Sequence, residues 1–212
     1  MSLASRKDLL QVLKKKKKFS IDETRFVVAE IAVALEHIHK FSIVHRDVKP
    51  ENILLSETGH MILSDFGCAK FLEQTDEEKK ELQTRIRKCS FVGTAHYVCP
   101  EVLLNKVIDE TCDYWALGCI IFQLLTGERP YNDVSEYFVF KRITALRYSF
   151  PDDFPSDDNG AKDLIQQFLQ IEASDRLGSK EKGGVEALKA HPFFNEIKDW
   201  EKLSESASPL NG

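Results

Sequence analysis

The chain has 212 residues, of which 42% are hydrophobic, and a formal net charge of −5. That length allows one domain or a large part of one, the apolar share supplies a core, and the acidic balance excludes the basic footprint of a nucleic-acid binder. No run approaches the roughly 20 apolar residues of a membrane span, Met1 to Lys7 lacks a signal-peptide core, and none of the five cysteines forms a Cys-x-x-Cys pair; a cytoplasmic protein with reduced thiols and no zinc site is expected.

Residues 6 to 18 read as a short helix with Leu9, Leu10 and Leu13 on its apolar side, ending in the solvated run Lys14 to Lys18. Ser20 three residues before Glu23 is a capping box, and Phe26, Val27, Ile31, Leu35 and Ile38 continue it at helical spacing to about Lys40. Short strands are predicted over Ser42 to Val44, Asn52 to Leu55 and His60 to Leu63, with Glu57-Thr58-Gly59 turning between the last two. Residues 72 to 88 are strongly charged, acidic first and basic later, and read as a mobile surface segment. Cys112 to Thr126 is nearly all apolar and too short to cross a membrane, so it reads as a buried central helix. Weaker helices are expected near 134–146, 160–170 and 184–190, with Pro151 and Pro155 in the loop between the first two. The polar stretch after Trp200 is expected to be disordered, so residues 1–200 form the folded unit and 201–212 a tail.

The chemistry concentrates in His45-Arg46-Asp47-Val48-Lys49-Pro50-Glu51-Asn52 and in Asp65-Phe66-Gly67. Phosphoryl transfer needs positioning and charge neutralisation more than covalent chemistry. Asp47 is the candidate to orient an incoming hydroxyl and accept its proton. Asn52 and Asp65 supply the hard oxygen ligands that magnesium requires. Lys49, on a flexible stem two residues from Asp47, can neutralise charge on the transferred group. Alone, Asp65-Phe66-Gly67 is an ordinary turn sequence; its spacing after the eight-residue motif makes it informative.

These motifs, with the later Cys99-Pro100-Glu101, resemble the eukaryotic protein kinases, and Lys49 resembles the serine/threonine class. Ser90 to Val98 and Asp113 to Ile121 are similar to the phosphoinositide-dependent subfamily. His191-Pro192-Phe193-Phe194 resembles the end of the kinase domain in the wider group that includes the cyclic-nucleotide-dependent kinases. The resemblance spans roughly residues 6 to 200. It implies a mostly α fold, the C-terminal lobe of a kinase with a few short strands around the catalytic loop, using ATP and Mg2+ on protein substrates, other kinases among them. It further implies nucleotide contacts from Asp8, Glu51, Asn52, Leu54 and Asp65, with Leu54 under the adenine. Ser90 becomes the activation phosphosite and Arg46 its phosphate partner. Thr94 lines the substrate pocket, Glu101 pairs with Arg176, and Asp113 holds the catalytic loop's backbone. Cys99 replaces the alanine or serine usual before Pro-Glu, and the charged insert at 72–88 is long for the subfamily.

Only forty-four residues precede His45, with no Gly-x-Gly-x-x-Gly and no Val-Ala-x-Lys among them. The β-rich N-terminal lobe is therefore expected to be absent from this chain, and the isolated chain is expected to have little phosphotransferase activity. The alternative reading is a lobe-only interaction module that binds kinase partners or substrates. No membrane-recruiting segment is evident.

Overall fold

A computed structural model describes residues 7–72, 95–156 and 158–210. The charged segment after Leu72, with Ser90 and Thr94, lies outside the described residues.

Asp8 caps the first helix, α1 (Leu9–Lys16), by accepting the Gln11 N–H at 2.7 Å. The second, α2 (Ile21–His39), opens on the predicted capping box: Ser20 Oγ accepts the Glu23 N–H, and Glu23 Oε2 accepts the Ser20 N–H. Its face from Phe26 to Leu35 is buried. After a turn come β1 (Ile43–Val44), β2 (Ile53–Leu55), β3 (Met61–Leu63) and β4 (Lys70–Phe71). β2 and β3 form the expected hairpin, in the register Ile53↔Leu63 and Leu55↔Met61. β4 was not foreseen; it pairs antiparallel with β1, Ile43 opposite Phe71, and closes the loop that carries Asp65.

The remaining helices are α3 (Pro100–Leu103), α4 (Thr111–Thr126), α5 (Glu136–Thr144), α6 (Ala161–Phe168) and α7 (Gly184–Lys189). Every residue of α4 is buried, as its nearly continuous apolar run requires. Each fully buried Leu, Ile or Phe side chain stabilises the fold by about 1.5–3 kcal/mol over its exposed state, so this helix anchors the structure. α6 crosses α4 at Gly118, where a Cβ would lie 2.8 Å from Phe168 Cβ. α4 ends at Gly127, whose φ of 79° suits the left-handed C-terminal position. The architecture is mostly helical with two small sheets, as the resemblance to a kinase C-terminal lobe implies. Among the described residues no helix is long and apolar enough to cross a membrane.

Two long-range ties fix the β2–β3 hairpin. The Glu30 carboxylate on α2 binds His60 Nδ1 and accepts the Met61 N–H at 2.7 Å. Ser208 Oγ donates to the Gly59 carbonyl at 2.7 Å. The tail thus departs from its expected disorder: Leu203 is buried in the core, and Ser208 is buried against the hairpin turn. Leu203, Leu210 packed against the core, and one well-placed hydroxyl order a segment whose composition is otherwise polar.

Candidate active site

Asp113, fully buried in the first turn of α4, sets the backbone beneath the site. Its Oδ2 accepts the His45 N–H at 2.9 Å and its Oδ1 the Arg46 N–H at 2.8 Å. His39, at the end of α2, adds a third bond from Nε2 to Oδ2 at 2.8 Å. A buried carboxylate requires such donors, and here they come from three points of the chain. Arg46 takes a φ of 64° in doing so, a strained value for a side-chain-bearing residue.

His45 is buried and holds the two motifs together. Its Nε2 bonds the Ser64 carbonyl at 3.0 Å, and its Nδ1 accepts the Asp47 N–H at 3.4 Å. Since a carbonyl only accepts, the proton sits on Nε2. The imidazole also lies 4.9 Å from the Phe66 ring, between centroids. This single side chain aligns Asp47 with the Asp65 loop.

The centre of the site is a shared oxygen. Asp47 Oδ2 accepts Lys49 Nζ at 2.8 Å and Asn52 Nδ2 at 3.0 Å. Asn52 Nδ2 also donates to the Asp47 carbonyl at 2.9 Å, so Pro50–Asn52, a 3-10 turn, is tied back over Asp47. Asp47 is only 8% exposed and Asn52 is buried. The amide nitrogen of Asn52 is committed to Asp47, which leaves its carbonyl oxygen as the donor for a metal. Asp65 stands exposed at a φ of 62°, one carboxylate oxygen accepting the Gly67 N–H at 3.2 Å. An amide oxygen and an accessible carboxylate fit magnesium, which takes oxygen ligands and keeps several of its waters.

Asp8 and Leu54 are brought together by an antiparallel bridge between them, reinforced by Leu55 N–H donating to the Lys7 carbonyl at 2.9 Å. The Asp8 carboxylate is engaged twice by Gln11, at 2.7 Å from its N–H and 2.6 Å from Nε2. Leu54 is half-buried on β2. Glu51 has a buried Oε2 with no hydrogen-bond partner. Beside it lies Tyr97, whose hydroxyl donates to Gln123 Oε1 at 2.6 Å. Burial pushes that phenol well above its ordinary range, Arg129 opposes the shift and Glu51 adds to it. Burial and Arg129 together hold the neighbouring His96 below the usual imidazole value, against the hydrogen bond its ring makes to Asn132. Arg46 Nε donates to the Cys68 carbonyl at 2.6 Å.

Behind the site, Arg176 clasps Glu101 through two bonds of 2.7 and 3.0 Å and also reaches the Thr111 and Gln170 carbonyls. Sequence reasoning missed His39, Tyr97 and Gln123. A histidine in the last turn of a helix reads as compensating the helix dipole. Nothing local announces that His39 meets Asp113, seventy-four residues on.

Comparison with known proteins agrees with this geometry. The family model described as "Protein kinase domain" matches residues 1–194. The 3-phosphoinositide-dependent protein kinase 1 of Rattus norvegicus is 44% identical over 99% of this chain, which spans 35% of that protein. The Arabidopsis thaliana protein of the same name is 41% identical over 95% of the chain and 40% of its own length. The putative 3-phosphoinositide-dependent protein kinase 2 of Homo sapiens is 43% identical over 99% of the chain and 50% of its own. The chain belongs to the protein kinase family, in its serine/threonine class and within the 3-phosphoinositide-dependent subfamily.

Proposed function

We propose that the protein containing this chain transfers the γ-phosphoryl group of ATP to serine or threonine hydroxyls of protein substrates, other kinases among them, and acts in cytoplasmic signalling. The observation that carries this reading is the shared oxygen of Asp47, buried and bound at once by Lys49 and Asn52. In the proposed reaction the substrate hydroxyl oxygen attacks the γ-phosphorus, the bond to the bridging oxygen breaks, ADP leaves, and the hydroxyl proton passes to Asp47. Asp47 is held by Asn52 in the orientation this needs. Lys49 screens the negative charge of the transferred group and of Asp47 together. Magnesium, when bound, neutralises the phosphate charge; Asn52 and Asp65 are the residues that would hold it.

Asp8, Glu51 and Leu54 are proposed at the nucleotide, Thr94 at the substrate and Ser90 as the activating phosphosite read by Arg46. Arginine suits that last role because its guanidinium meets phosphate in a bidentate fork. The test uses the full-length protein with radiolabelled ATP and paired peptides that differ only in serine or tyrosine. Magnesium-dependent labelling of the serine peptide is expected. Labelling of neither peptide by a protein that binds Mg-ATP, or of tyrosine alone, would count against the reading.

A further inference from the structure

Cys99 and Cys112 are thirteen residues apart in sequence, and their sulfur atoms lie 2.7 Å apart, the two thiols sharing a hydrogen bond. Cys99 precedes α3 and Cys112 is the second residue of α4, immediately before Asp113. Both thiols are unbonded and buried. A small cleft beside the catalytic loop is lined by Arg46, Asp47, Tyr97, Cys99, Cys112 and Asp113 among others. The phosphotransfer chemistry has no use for either thiol.

We propose that Cys99 and Cys112 form an oxidisable dithiol, a covalent modification site in which a peroxide converts the pair to a disulfide that ties the Cys-Pro-Glu turn to the start of α4. The reaction proceeds in two steps. One thiolate attacks a peroxide oxygen, the O–O bond breaks, and a sulfenic acid and water form. The second sulfur then attacks the sulfenic sulfur, the S–O bond breaks, and a second water leaves. The dithiol loses two electrons and two protons, and one hydrogen peroxide is reduced to two waters.

The geometry fixes the relative rates. The Cys99 hydrogen bond and burial both raise the Cys112 thiol well above its ordinary range, so little thiolate is present and the first step is slow. The second step is intramolecular, between atoms already in contact, and is fast. Sulfenic acid therefore does not accumulate, and the disulfide is the product. A disulfide needs a sulfur separation of about 2.05 Å, shorter than the 2.7 Å contact of this pair.

The test treats the full-length protein with hydrogen peroxide, alkylates the remaining thiols and weighs tryptic peptides without reduction. Lys106 lies between the two cysteines, so the bond joins peptide 89–106 to peptide 107–141. The expected product has the summed peptide masses less two hydrogens and is released by dithiothreitol. These peptides also hold Cys89 and Cys119, so fragmentation of the linked pair assigns the sulfurs directly. Cys99→Ser and Cys112→Ser should each abolish the link, while Cys89→Ser and Cys119→Ser should keep it. Oxygen gained separately at both thiols, a link assigned to other sulfurs, or no link at peroxide concentrations that oxidise Cys68 would overturn the proposal. The fragmentation result stands without the variants, and these readouts do not depend on kinase activity.

Discussion

Asp113 binds Arg46 through the backbone: its Oδ1 accepts the Arg46 N–H at 2.8 Å, and Arg46 takes a φ of 64° to allow it. The same carboxylate holds the His45 N–H and His39 Nε2. Asp47, one residue beyond Arg46, inherits its position from that anchor. Asp113→Ala should leave two buried backbone donors without acceptors, each costing about 1–3 kcal/mol. Urea denaturation should show a loss of about 3 kcal/mol or more, and hydrogen exchange at His45 and Arg46 should accelerate. Unchanged protection at those amides would mean the anchor is not what holds the loop.

The Glu101–Arg176 pair is buried on both sides. Removing one partner strands the other's charge away from water, which typically costs about 3–5 kcal/mol. Arg176→Met should be destabilising by that amount in a denaturant titration. The double change Glu101→Leu with Arg176→Met should recover much of the loss. Additive losses would show that the two side chains do not compensate each other's burial.

Gly118 sits where α6 crosses α4, with Phe168 Cβ and the Leu169 side chain against the place a Cβ would occupy. Gly118→Ala should cost about 1–3 kcal/mol through overpacking, visible as a lower melting temperature with the helical circular dichroism retained.

Legibility in the sequence followed the range of the interaction. The capping box at Ser20, the hairpin turn at Gly59 and the apolar run of α4 are local signals, and each element formed where its residues predicted. The motif around Asp47 was legible because its spacing is itself the signal. The Asp113 anchor, the Glu101–Arg176 pair and the nucleotide-side roles of Asp8 and Leu54 entered only through family resemblance. Contacts between residues far apart leave no periodicity to read. Glu30 with His60, Cys99 with Cys112 and Ser208 with Gly59 are of that kind. Composition marked the tail as polar, yet the packing of Leu203 and Leu210 on the core outweighs that average.

His96 gives a pH prediction. Burial and the Arg129 charge lower its pKa in the folded protein, from an ordinary value of 6.5. The unfolded chain therefore binds the proton more readily, and stability must fall as protons are added. The contribution is fully present above about pH 6.5 and is lost as pH drops through the folded-state value. Denaturation midpoints measured from pH 7.5 downward should decline in that window, and His96→Gln should flatten the decline there.

The central claim is that Asp47, Lys49 and Asn52 act as one unit in phosphoryl transfer. It is tested most directly by the kcat of the full-length protein, at saturating Mg-ATP and peptide, for wild type, Asp47→Asn, Lys49→Met and the double variant. Loss of the proton acceptor should lower kcat by about 10²–10⁴-fold. The double variant should be little slower than Asp47→Asn alone, because residues acting together lose their effect together. A wild-type kcat in Asp47→Asn would contradict the account.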